Sequence, residues 1–276
     1  MTRSSYAEVL AALSLRRVDE LSFVGDQLAA PLNHILGGHV AAQALIAAAH
    51  TAPGRTPHSM HVYFLRAGDA RRPVDFEVVS LQEGRTFSAR RITARQDGRM
   101  LLEAMTSFTV DGAAPDGVEY QPTMPEVPAP EGLPEPAPHF AEAYEGGWAS
   151  LKWFDRKVVD ADTTAPARTR IWWRPRGEVP EDATLIAAMV VYLSAVTLAE
   201  PVNVPRGQVG ESAQRGHSVL FHRPAELRDW LLYDQWTPSS TGSLALASGQ
   251  MFNRTGELVC TVEQETYFPP AVAGHP

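Results

Sequence analysis

The chain carries two kinds of hydrophobic pattern, helical and alternating, and runs through them twice. Near the start, Ser5 and Glu8 form an S-x-x-E capping box, and Leu10, Leu13 and Val18 continue as an apolar stripe, so a short amphipathic helix is predicted. The stretch Gly37–His50, GGHVAAQALIAAAH, has few polar positions on any side. It is predicted as a helix enclosed by protein, with the glycine pair permitting close backbone approach at its start. Four strand-like runs follow, over residues 59–67, 73–81, 85–95 and 100–110, punctuated by Gly68-Asp69, Glu83-Gly84 and Asp97-Gly98. Val74, Phe76 and Val78 alternate with Asp75 and Glu77, as the two faces of a sheet require.

Residues 112–150 break the pattern: eight prolines fall between Pro115 and Pro138, and apolar periodicity disappears. A connector laid extended over the surface is expected there. The first pattern then returns. A strand-like run at 169–174 precedes Pro180-Glu181-Asp182, which opens an apolar helix through Leu198 with its acids at the favourable end of the dipole. Further runs cover 218–223, 230–235, 243–252 and 258–268. Tyr63-Phe64-Leu65-Arg66 answers Leu220-Phe221-His222-Arg223 at a spacing of 157, and Asp97-Gly98 answers Thr255-Gly256 at 158. The expected organisation is α+β: a helix-plus-antiparallel-meander unit at 1–111, a Pro-rich linker at 112–150 and a second such unit at 151–276.

Composition narrows the chemistry. A chain of 276 residues can bury a substantial core. Its net charge of −8, from 24 basic and 32 acidic residues, argues against a general nucleic-acid or anionic-membrane binder but leaves room for a local basic pocket for one phosphorylated ligand. Cys260 stands alone, which excludes an internal disulfide and a cysteine zinc cluster and points to a reducing, cytoplasmic setting. The N-terminus has no apolar signal core, and the apolar stretches 41–49 and 183–199 are short of the roughly 20 residues of a membrane span, so both are read as buried helices. No G-x-S-x-G elbow, phosphate loop, H-E-x-x-H motif or dinucleotide fingerprint occurs, and neither a cofactor nor a metal is expected.

GGHVAAQAL, HSMHVYFLRAGDARRPV, EGRTFSARRITARQDGR, FHRPAELRDWLLY and LVCTVEQE occur in an order that resembles the acyl-CoA thioesterase II family. The resemblance implies a double hot-dog fold, its two units forming one extended sheet, and hydrolysis of acyl-CoA thioesters without a metal by a homo-oligomer. It also implies an Asp, a Thr or Ser, and a Gln as the catalytic set. The Asp should close a Tyr-x-Ser-Asp run, but the run here is Tyr192-Leu193-Ser194-Ala195. The hydroxyl should lie nine positions before Arg223, where Gln214 stands. Gln264 keeps the third position. A Gln can orient water but cannot take its proton, so the expected activity is thioester hydrolysis from a reduced set. The alternatives are a non-hydrolytic acyl-thioester binder, or a hot-dog enzyme repurposed for a carrier-bound acyl group.

The candidate catalytic residues are Gln264, to orient water, and His34, as a base. The candidate substrate-binding residues are Asn33, Gly37 and Gly38 at the entrance of the first long helix, and Gln214. Each has a plainer reading: Gln264 as a bonded strand amide, Gln214 as filler, Asn33-His34 as a helix-capping turn. His50 is expected at the C-terminal carbonyls of its helix, His58 and His61 on opposite strand faces, and His217 and His222 in packing and hydrogen bonding. Arg85, Arg90, Arg91, Arg95 and Arg99 could hold CoA phosphates, although strand alternation favours a solvated surface. Glu263 and Glu265 should face away from Gln264.

Overall fold

Both alternating blocks become strands of a single sheet. In the first half these are β1 (Arg16–Arg17), β2 (Ser22–Gly25), β3 (Thr56–Phe64), β4 (Val74–Glu83), β5 (Phe87–Gln96) and β6 (Arg99–Thr109). In the second they are β7 (Phe154–Asp162), β8 (Arg168–Pro175), β9 (Ala213–Phe221), β10 (Leu231–Thr241), β11 (Leu244–Asn253) and β12 (Leu258–Tyr267). The computed structural model describes residues 6–28, 33–110, 118–134, 153–162, 166–206 and 212–269. Its twelve strands run in the order β1-β2-β4-β5-β6-β3-β9-β12-β11-β10-β8-β7. The two halves of that order mirror each other about the β3–β9 junction.

The junction carries the internal repeat in its register. Ser59 pairs with Leu220 and Tyr63 with Gly216, and His61 faces Ser218 between them. Adding 157 to 59 and 63 gives 216 and 220, so the pairing maps onto itself under the sequence repeat. The strand ends repeat too. The Leu65 and Arg66 N–H groups both donate to the Leu101 carbonyl at 2.8 and 3.2 Å, and those of His222 and Arg223 both donate to Val259 at 2.7 and 3.3 Å. The short edge strands β1 and β2 and the polar β7 were not expected from the pattern, because two to four residues, or a run such as FDRKVVDAD, show no clear alternation.

Two helices lie against the inner face, α1 (Gly37–His50) and α2 (Ala183–Thr197), the second capped by Asp182, whose Oδ1 accepts from the Leu185 N–H at 2.7 Å. A short helix ahead of this pair spans Tyr6–Leu13; Ser5 of the expected capping box lies outside the described residues. The α1 residues from Gly38 to Ala49 are all buried, as their near-continuous apolarity requires. Gly38 sets the helix–helix distance: a Cβ there would lie 2.9 Å from both the Tyr192 carbonyl oxygen and the Ala195 Cβ. Backbone cannot yield as a flexible side chain does, so Gly38→Val is expected to cost about 1–3 kcal/mol. Thermal denaturation checks this; an unchanged melting curve would mean that the helices do not depend on this contact.

Two expectations are corrected at the end of α1. His50 does not serve the last carbonyls; its ring stacks on Phe23 at 5.5 Å. Thr51 Oγ1 donates to Ala48 O at 2.8 Å, and Arg90 Nη2 donates to Thr51 O at 2.7 Å. Arg90 is therefore buried and paired with Glu83, whereas Arg85, Arg91 and Arg99 are exposed. The expected opposition of His58 and His61 also fails. A bulge between Pro57 and Ser59 turns the His58 ring onto Ser107 Oγ at 2.8 Å, on the outer face that His61 shares.

Residues 118–134 lie over the outer face of the second half. Met124, Val127 and Leu133 pack on Trp172, Trp230, Leu232, Phe252 and Leu258. Gln121 Nε2 donates to Gly256 O at 2.7 Å, and Trp172 Nε1 donates to Pro128 O at 2.9 Å. The ends of the expected 112–150 linker lie outside the described residues.

Candidate functional site

A buried polar chain runs between the C-terminal turn of α2 and strands β9 and β12. Gln264 lies on β12 opposite His217 of β9, and both point inward among apolar neighbours. Strict alternation along β9 would send Gln214 to the face opposite His217. A register shift intervenes, in which Glu265 pairs with Gly216 and Thr266 with Gln214, so Arg215 is passed over. This bulge returns Gln214 to the inner face beside Gln264.

The hydrogen bonds close a defined sequence. Gln214 Nε2 donates to Ala195 O at 2.9 Å and to Gln264 Oε1 at 3.0 Å. His217 Nδ1 lies 3.1 Å from the same Gln264 oxygen, and its Nε2 lies 2.8 Å from Ser194 Oγ. Gln264 Oε1 can only accept, so Nδ1–H donates to it and Nε2 is left as an acceptor beside the Ser194 hydroxyl, whose single proton also faces Val191 O at 2.9 Å. Tyr233 OH donates to Ser194 O at 2.9 Å, so two carbonyls in the last turn of α2 receive side-chain donors. Burial pushes His217 down to about 4, so its ring is neutral at physiological pH.

Gln264 is left with an unequal share of partners. Its oxygen accepts twice, while its Nε2 makes one long contact, to Thr266 Oγ1 at 3.5 Å. The side chain is 1% exposed. A buried amide donor so weakly engaged is available to a substrate oxygen or to water.

The N-terminus of α1 faces the same place. A Cβ at Gly37 would fall on Gln214 Oε1 and within 3.2 Å of the Phe64 ring, and Gly38 abuts Ala195. Leu36 precedes the helix and supplies no side-chain cap. The first-turn N–H groups of Gly37 and Gly38 therefore head an uncapped helix whose dipole favours negative charge.

Of the six sequence candidates, the structure brings Gln264, Gln214, Gly37 and Gly38 together. Asn33 and His34 stand apart from the polar chain. Both are exposed, Asn33 with φ of 55°, and their backbone is tied to the 68–70 loop through the His34–Asp69 bridge and the Ala70 N–H to Asn33 O bond of 2.7 Å. Two further members join the polar chain: His217, expected in packing and hydrogen bonding, and Ser194, met in the sequence only as part of the Tyr-x-Ser-Asp run. Glu263 and Glu265 lie off the inner face, as expected, and no carboxylate bonds to the polar chain among the described residues. Nor do the described residues contain a group of three His, Cys, Asp or Glu side chains placed for a metal ion. Cys260 is buried and its thiol is pushed up to about 12 by desolvation, which leaves it inert.

Comparison with known proteins gives the same regions a common context. A family model described as the acyl-CoA thioesterase N-terminal domain matches residues 28–109, and one described as acyl-CoA thioesterase matches residues 153–267. The chain is similar to acyl-CoA thioesterase 2 of Haemophilus influenzae, 33% identical over 92% of this chain and 94% of that protein. Among solved structures it is similar to the tesB protein of Mycobacterium avium subsp. paratuberculosis, with 61% identity, a TM-score of 0.87, and coverage of 96% of this chain and 100% of that one. It is also similar to the acyl-CoA thioesterase II TesB2 of Mycobacterium marinum, with 32% identity, a TM-score of 0.81, and coverage of 95% and 99%.

Proposed function

The chain belongs to the acyl-CoA thioesterase family, with its double hot-dog fold and thioester-hydrolase function, and from that premise we propose that it cleaves its substrate at the Gln214–Gln264 amide pair without a side-chain base. The observation that carries this reading is the polar chain itself, which ends in a buried, under-used amide N–H₂ beside an uncapped helix start. The thioester carbonyl oxygen takes the Gly37 and Gly38 N–H groups, where developing negative charge is stabilised. Gln264 directs the attacking oxygen, which arrives as hydroxide from solution. The hydroxide oxygen bonds to the carbonyl carbon, the carbon–sulfur bond breaks, and the leaving thiolate is protonated from the new carboxylic acid through solvent.

The positions where the family resemblance implies an Asp and a hydroxyl hold Ala195 and Gln214, and the Gln214 amide joins the Ala195 carbonyl to Gln264. His217 cannot replace the carboxylate, since its Nδ1 proton is committed to Gln264 and burial keeps the ring a weak base. With no base in place, the nucleophile is hydroxide drawn from solution. The expected result is that log(kcat/KM) for an acyl-CoA climbs with a slope of about one per pH unit between about pH 7 and 9, with no inflection of the free enzyme. Thiol release across that range checks it. A plateau in place of the climb would instead reveal a working base.

Two further properties belong to this proposal. The single buried Cys260 supports a cytoplasmic setting. The outer sheet face supports self-association, because Tyr63, Met105 and Leu220 stand 64%, 51% and 41% exposed around the β3–β9 junction.

A further inference from the structure

Beside the entrance of α1 lies an open cleft of about 510 Å³. Its charged lining comes from Arg66, Asp69, Arg72, Asp97 and Arg99. The two carboxylates are already neutralised. Asp69 is gripped by Arg71, with Nη2 to Oδ2 at 2.7 Å, and Asp97 is paired with Arg72. Arg66 has only a carbonyl partner, Met100 O at 3.1 Å, and Arg99 has no side-chain partner among the described residues. Two guanidinium groups thus face an open cleft without a counter-charge, on a protein whose net charge is −8.

The cleft wall lies close to the candidate site along the chain. Phe64, whose ring borders Gly37, is two residues before Arg66, a span of at most about 7 Å along the chain. The loop ahead of α1 is bridged to Asp69 on the cleft wall.

The internal repeat supplies a comparison. Arg66 corresponds to Arg223 in the second half, and there Glu119 of the covering segment lies 3.5 Å from the guanidinium. Arg99 corresponds to Glu257, so the second arginine is replaced by an acid. The repeat position of Arg66 meets a carboxylate from its own chain in one half and stands open, with added positive charge, in the other.

We propose that Arg66 and Arg99 bind the phosphate groups of the CoA portion of the substrate, with the pantetheine arm running past Phe64 to the Gln214–Gln264 pair. This rests on the thioester-hydrolysis reading for the position of the reacting carbonyl, but the phosphate site can be tested without turnover.

The test is calorimetric titration of the full chain with free CoA, together with kcat/KM for matched acyl-CoA and acyl-pantetheine. Arg66→Glu combined with Arg99→Glu is expected to weaken CoA at least about tenfold, one charge-assisted contact or more, and to lower the acyl-CoA to acyl-pantetheine preference by a similar factor. Arg228→Glu, a reversal at an exposed arginine elsewhere, is expected to leave CoA affinity unchanged. Arg66→Gln with Arg99→Gln should reproduce the loss in smaller degree and guards against misfolding of the reversed variant. CoA affinity that changes less than twofold in both pairs of variants would overturn the site, as would a wild type with no preference for acyl-CoA over acyl-pantetheine. Absence of turnover with every thioester would defeat the hydrolysis reading alone, leaving the titration to decide the phosphate site.

Discussion

Ala195→Asp together with Gln214→Thr is expected to raise kcat for acyl-CoA hydrolysis by about 10²–10⁴-fold, the usual worth of a positioned general base. The structure explains why both changes are needed. Ala195 is buried in the last turn of α2, and the Gln214 amide lies on its carbonyl while also holding Gln264. Threonine withdraws that amide and leaves a hydroxyl on the inner face of β9. The new carboxylate then stands on the α2 turn that Gln214 had joined to Gln264, and its burial raises its pKa and with it its strength as a base. Ala195→Asp alone leaves Gln214 in the way and is expected to gain much less. Thiol release by the folded double variant, its fold checked by circular dichroism, decides the matter. An unchanged rate would show that the absent carboxylate is not what limits this site.

The second large effect lies at Gln264. Gln264→Ala is expected to lower kcat/KM about 10²-fold, comparable to the loss of one donor from an oxyanion site. The same change leaves the Gln214 amide and the His217 Nδ1–H short of an acceptor, at a cost of about 1–3 kcal/mol for each buried group. The melting temperature should therefore fall as well, and the assay belongs well below the variant's transition. A loss of stability with the rate retained would make Gln264 a structural amide.

The architecture was legible because the pattern and the physics agreed. The unbroken apolarity of Gly37–His50 and the acids before Ala183 mark two enclosed helices, and the 157-residue spacing of the FLR-like segments is the spacing that the β3–β9 register uses. The family resemblance placed Gln214 and Gln264 in the site. Alternation alone could not, since a bulge at Arg215 decides which face Gln214 takes, and a bulge at His58 decides the same for that ring. His217 and Ser194 were hidden for another reason. A buried histidine on a strand looks the same in sequence whether it fills space or holds a neighbouring amide, and only the 3.1 and 2.8 Å contacts separate the two roles. Arg90 shows the converse: a residue in a basic run that turned inward to serve the end of a helix.

Thiol release from a panel of acyl-CoAs, by wild type and Gln264→Ala side by side, tests the amide-pair site most directly. The expected result is slow turnover by the wild type that falls about 10²-fold in the variant. Turnover indifferent to Gln264, or none with any acyl-CoA, would contradict it.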